Sequence, residues 1–137
     1  MPEQLTPSQQ ALMEKVAAFA SETLEPRRDM PADQARREVI EASRKAGFFA
    51  MTQPASFGGS EATTLELTLV RDELAATNAP HTGAVFGPGP GVLADVDEPL
   101  RSRYLAPLLA GEKRGGFAFT EPDDAPTPTR AVENGDT

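Results

Sequence analysis

Tyr104-Leu105-Ala106-Pro107-Leu108-Leu109-Ala110-Gly111-Glu112 leads through Lys113-Arg114-Gly115 into Gly116-Phe117-Ala118-Phe119-Thr120-Glu121-Pro122. The first half carries apolar residues at helical spacing, with Leu100, Tyr104, Leu105 and Leu108 on one stripe. Asp97 is placed to cap that helix, and Pro107 divides it into two short pieces. The second half, Gly115 to Thr120, alternates large and small residues with two aromatics, the pattern of a strand. One strand cannot satisfy its own backbone donors and acceptors. This strand is therefore expected to pair with something outside the helical part of the chain.

Everything upstream reads as helix and turn. Thr6 and Gln9 have capping-box spacing, with Pro7 at the first helical position. Leu12, Val16, Phe19, Ala20 and Leu24 continue a helix over Pro7 to Leu24, and Pro26 is expected to end it. Asp33 is read as the N-cap of a second helix running to Ala46, with Ala35, Val39, Ala42 and Ala46 on one stripe, widened by Ile40. Arg44 and Lys45 suit its negative C-terminal end, Gly47 follows as the left-handed terminator, and Glu41 to Lys45 is an exposed i,i+4 pair. Thr63 to Asn78 fits both periods, and its length and charges favour helix. Pro54 to Gly59 is a loop, and Gly87-Pro88-Gly89-Pro90-Gly91 is a bend.

Composition limits the chemistry. The 137 residues suit one domain with a real core. A net charge of −8 argues against nucleic acid, whose phosphates require a basic face. No cysteine is present, which removes disulfides, thiolate metal sites and thiol nucleophiles, and the single His81 cannot build a multi-histidine metal site. No signal peptide or membrane-length apolar run is seen at the N-terminus or elsewhere, so a soluble, cytoplasmic protein is expected. The tail from Glu121 to Thr137 holds three prolines, five acids and one base, and is expected to be poorly ordered on its own.

The Tyr104–Glu112 and Gly116–Pro122 stretches resemble the acyl-CoA dehydrogenase family, in which a "YLPxLxxGE" helix end leads into an "(G)xxAxTEP" strand. Upstream, Gly47-Phe48-Phe49-Ala50-Met51, Pro54 and Phe57-Gly58-Gly59 look like the family's "GLxGLxxPxxxGG" stretch, and Asp72-Glu73-Leu74-Ala75 is similar to its "EELA". The motifs follow in the family's order over nearly the whole chain. The resemblance implies a mainly α fold: the N-terminal helical bundle domain over residues 1–113, with the start of a β-domain over 114–137. It implies FAD as cofactor, an acyl-CoA thioester as substrate, a flavoprotein as electron acceptor, and assembly into a homo- or hetero-oligomer. It places Phe117, Phe119 and Thr120 beside the flavin, and Val85 and Phe86 at the acyl-chain pocket. It also implies that the catalytic base lies beyond Thr137, so that no catalytic residue is expected in this chain and no activity from it alone. One departure is plain: where the family continues "TEPxxGSD", this chain has Ala125-Pro126-Thr127, and proline offers neither hydroxyl nor N–H for a phosphate contact.

Blander readings stand beside these. Glu121, Asp123 and Asp124 form a carboxylate cluster that reads first as a solvated turn after a strand rather than as acid–base machinery. His81 fits a local structural role, and Val85-Phe86 fits plain core packing. Two other functions share the fold expectation: a non-catalytic helical subunit docking to a related flavoprotein, and an acyl-CoA oxidase or flavin monooxygenase.

Overall fold

The computed structural model describes residues 4–116, together with Val132 and Gly135. Three long helices carry the core: α1 (Pro7–Phe19), α2 (Ala32–Ala46) and α3 (Thr64–Ala76). A short α4 (Ala106–Leu109) follows, with 3-10 turns between them, and no strand occurs among the described residues. Gly115 and Gly116 have no regular structure, and the remainder of the expected strand, Phe117 to Thr120, lies outside the described residues.

The local chemistry explains the helix ends. Thr6 caps α1 through its hydroxyl while the Gln9 side chain returns to the Thr6 amide at 2.8 Å. Thr63 and Glu66 make the same box at α3: the Thr63 amide and hydroxyl reach one Glu66 oxygen at 2.8 and 2.7 Å. α2 ends at Gly47, whose φ of 84° suits a residue without Cβ. Lys15 donates to the free carbonyl of Ala46 at 2.6 Å, tying the end of α2 to α1. The expected pair of Glu41 and Lys45 forms at 2.7 Å.

Two helix starts differ from the sequence expectation. α2 begins at Ala32, with Pro31 as its N-cap, and Asp33 sits inside the first turn. The Pro31 carbonyl accepts from Gln34 and Ala35, and Asp33 complements the positive helix end from within. At the last helical segment the Asp97 side chain does not cap. Its carbonyl accepts from Arg101, while Glu98 takes bonds from the Ser102 amide at 3.2 Å and hydroxyl at 2.6 Å.

Neither Pro26 nor Pro107 simply stops a helix. Ahead of each, five residues form a widened π-turn, Ala20–Leu24 and Arg101–Leu105. In a regular α-helix each proline ring would strike the carbonyl four residues earlier. The wider turn avoids this, with Glu25 N–H bonded to the Ala20 carbonyl and Ala106 N–H to that of Arg101. The chain then passes into a 3-10 turn at Glu25–Arg27 and into α4, so Pro107 does divide its helix in two.

α1 packs against α3, and α2 lies against the turns at Phe49–Thr52 and Thr82–Ala84. Val16, Leu24, Val39, Phe48, Val70 and Val85 fill the centre, all nearly or fully shielded from solvent. Phe48 meets Phe19 edge-on, centroids 5.0 Å apart. By its size and burial, Phe48→Ala is expected to cost about 3–5 kcal/mol, read as a lower urea midpoint.

The α3 capping box has a pH signature. Bonds from Thr63 hold the Glu66 carboxyl below its usual range. A lowered folded-state pKa gives stability that is complete above the unfolded value and is lost as pH falls through the folded one. The stability gap between the natural chain and Glu66→Ala should therefore be widest near neutrality and shrink on acidification, in urea titrations at successive pH values.

Candidate functional site

The residues nominated for the acyl chain are adjacent but face different surroundings. Val85 is wholly buried in the core, and its carbonyl accepts the hydroxyl of Ser43, a buried polar residue on α2. Phe86 is half-buried, packing partly on the core and partly lining an open groove. That groove, about 500 Å³, runs between the C-terminal half of α3 and the Thr82–Ala84 turn, along Leu74, Ala79, Thr82, Gly83 and Phe86. Arg71 of α3 lines it too, with its guanidinium carbon 5.3 Å from the Phe86 ring centroid. Among the described residues Arg71 makes no ion pair.

Phe86 is held by its neighbours downstream. The amide of Gly87 donates to the carbonyl of Phe49 at 2.8 Å, and the Thr52 hydroxyl donates to the Gly87 carbonyl at 2.6 Å. The Gln53 amide group, almost fully buried, donates to the carbonyls of Pro88 at 3.1 Å and Leu109 at 3.0 Å. Three bonds thus stitch the Gly- and Pro-rich bend to the loop after α2, and one joins it to α4. Gly87 fits only as glycine: a Cβ there would lie 2.6 Å from the Phe49 ring and 2.7 Å from its carbonyl oxygen. Nothing in the sequence singles out Thr52, Gln53 or Arg71 for these positions.

His81 has a local structural partner. Its Nε2 lies 2.7 Å from the Arg27 carbonyl, which can only accept, so this nitrogen carries the proton. Arg27 in turn pairs with Glu38 of α2 at 3.0 Å. Phe117, Phe119 and Thr120 lie outside the described residues, as do Glu121, Asp123, Asp124 and Ala125-Pro126-Thr127. The described residues do not by themselves build a flavin site: the groove beside Phe86 has one cation and a mainly apolar wall. They contain no group of three potential metal ligands, and no described helix is long and apolar enough to cross a membrane.

The family model for the acyl-CoA dehydrogenase N-terminal domain matches residues 6–112, which holds all four helices and the groove. The chain belongs to the acyl-CoA dehydrogenase family. Among its relatives is the CarC subunit of the caffeyl-CoA reductase–Etf complex of Acetobacterium woodii, 30% identical over 73% of this chain and 28% of that protein. A 3-(aryl)acrylate reductase of Clostridium sporogenes is 29% identical over 93% of this chain and 37% of its own length. The mitochondrial isovaleryl-CoA dehydrogenase of Bos taurus is 28% identical over 87% of this chain and 30% of its own. The chain thus spans about a third of the length of these relatives. No solved structure gives a significant match.

In this acyl-CoA dehydrogenase domain Gln53 is expected to matter through the bend it holds. Gln53→Ala strands two carbonyls and should lower stability by about 1–3 kcal/mol in urea unfolding. It should also speed amide hydrogen exchange at Gly87 more than within α1.

Proposed function

We propose that the chain forms the N-terminal helical wall of an FAD-dependent acyl-CoA dehydrogenase, with Phe86 closing one side of the acyl-chain groove. The observation that carries this reading is the groove itself: an apolar channel in a matched family domain, with one aromatic wall locked by backbone bonds. In the complete enzyme the flavin supplies the hydride acceptor for oxidation between the α- and β-carbons of the thioester. This chain's part is to bind and to exclude water. Leu74, Ala79 and Phe86 offer apolar surface to an acyl chain, and Val85, buried beneath, fixes the height of Phe86.

Phe117, Phe119 and Thr120 are assigned to the flavin in this reading, through backbone amides and the Thr120 hydroxyl. The helical part is taken as residues 1–113 and the start of the β-domain as 114–137. No residue of this chain is assigned as the base, so the 137-residue polypeptide alone is expected to be inactive. A separate flavoprotein is the proposed electron acceptor, supported by the relative whose name places it in a reductase–Etf complex. Two of the three relatives are named as reductases, so the direction of electron flow is assigned to that partner rather than to this domain. Cytoplasmic location and oligomeric assembly of the complete enzyme belong to the same proposal.

Three measurements test it. The visible spectrum of the complete enzyme should show about one flavin per chain, and a protein that takes up no FAD would refute the cofactor assignment. The 137-residue chain with acyl-CoA should not reduce an electron acceptor, and turnover would refute the placement of the base elsewhere. In the complete enzyme, Phe86→Ala should move the preferred acyl length upward, each added methylene improving kcat/KM by about tenfold until the new space is filled. An unchanged length preference would return Phe86 to a packing role.

A further inference from the structure

Arg71 opens a stripe of α3 that faces the groove beside Phe86. Leu74, Ala75 and Asn78 follow it at i+3, i+4 and i+7 and line the same groove. The helix offers the guanidinium no acid. The positions three and four residues to either side hold Leu67, Thr68, Leu74 and Ala75, while Asp72 and Glu73 stand at spacings that do not face it. No acidic side chain lines the groove among the described residues. Val70 and Leu74, both buried, root this turn of α3 in the core.

Phe86 approaches from the opposite wall. The bonds at Gly87 fix its backbone, but they leave the ring free to turn about its own side-chain torsions. Part of the ring's surface packs on the core, and the Arg71 guanidinium carbon stands 5.3 Å from its centroid. A cation over an aromatic ring is drawn to the negative face of the π-system, and more strongly as water is excluded. Lys15 and Arg44 also stand over phenylalanine rings, Phe48 and Phe49, but each has a second anchor. Lys15 donates to the Ala46 carbonyl at 2.6 Å, and Arg44 donates to the Ala110 carbonyl. Among the described residues Arg71 has no ion pair, and the Phe86 ring is the partner its charge meets.

We propose that Arg71 is a positioning residue for acyl-length selection: stacked on Phe86, it holds the ring across the groove and so sets the depth open to an acyl chain. This rests on the reading of Phe86 as the wall that closes the groove. An acyl chain that fills the groove displaces water from the guanidinium and the ring together, which tightens their contact when substrate is bound. Without the cation the ring swings aside more readily, and longer chains fit.

The test uses the complete enzyme with a series of straight-chain acyl-CoA thioesters. Arg71→Gln keeps a good helix former at an exposed position and removes the charge. It should raise kcat/KM by about two- to fivefold for chains longer than the natural optimum, through KM more than kcat. Arg71→Lys should restore part of the original preference. In a Phe86→Leu background, which keeps an apolar wall without a ring face, Arg71→Gln should add nothing. In the 137-residue chain, the Phe86 ring proton resonances should move with Arg71→Gln and return part of the way with Arg71→Lys. If Phe86→Ala shifts the length preference and Arg71→Gln does not, the positioning role is overturned while the acyl groove stands. If neither shifts it, the wall and the positioning role fall together. A parallel loss at every chain length with a lower urea midpoint would overturn the role in favour of a structural one. An effect that persists in the Phe86→Leu background would overturn it too, since Arg71 would then act on the acyl chain directly.

Discussion

The hydrogen bond from the Gly87 amide to the Phe49 carbonyl joins the turn after α2 to the Gly- and Pro-rich bend. Phe49 belongs to the turn that follows α2 and is buried in the core, whereas Gly87 opens the bend that leads away from the groove beside Phe86. The contact is close enough that no side chain fits at position 87. From it follow the height of Phe86, the course of the bend along Gln53, and the docking of α4 through the same glutamine. Gly87 and Pro88 also line a small cleft bordered by Arg36 and Lys113.

The features that were legible in the sequence are those whose cause lies within a few residues. Thr6 with Gln9, and Gly47 after Arg44 and Lys45, announce their helix ends because capping is local chemistry. The apolar stripe of α2 likewise reports its buried face, with Ala35, Val39 and Ile40 all in the core. Long-range partners leave no such mark. Ser43 reads as an unremarkable polar residue in a helix, yet it is fully buried against a carbonyl 42 residues away. Gln53, two bonds to distant carbonyls, is invisible for the same reason.

At the site the same division holds. The family motifs pointed to Val85 and Phe86, but the spacing of two adjacent apolar residues does not say which faces the groove. The backbone decides: after the 3-10 turn Thr82–Ala84, Val85 turns to the core and Phe86 to the opening. Nothing in the sequence singles out Arg36. Its proximity to Lys113 and Arg114 arises from the return of the chain after α4, a separation of more than 70 residues, and no periodicity encodes that.

The widened turns at Ala20–Leu24 and Arg101–Leu105 have a bearing on how this domain tolerates change in length. A π-turn absorbs one residue more than an α-turn over nearly the same rise, so each is in effect an insertion stored inside a helix. Removing one residue from the first would wind it back toward regular α geometry, where the Pro26 ring would strike the carbonyl four residues before it. The helix end would have to shift there, and with it Arg27, which holds Glu38 through its side chain and the His81 ring through its carbonyl. The length of α1 and the placement of the loop at His81 are thus a single variable, set by five residues that look like ordinary helix.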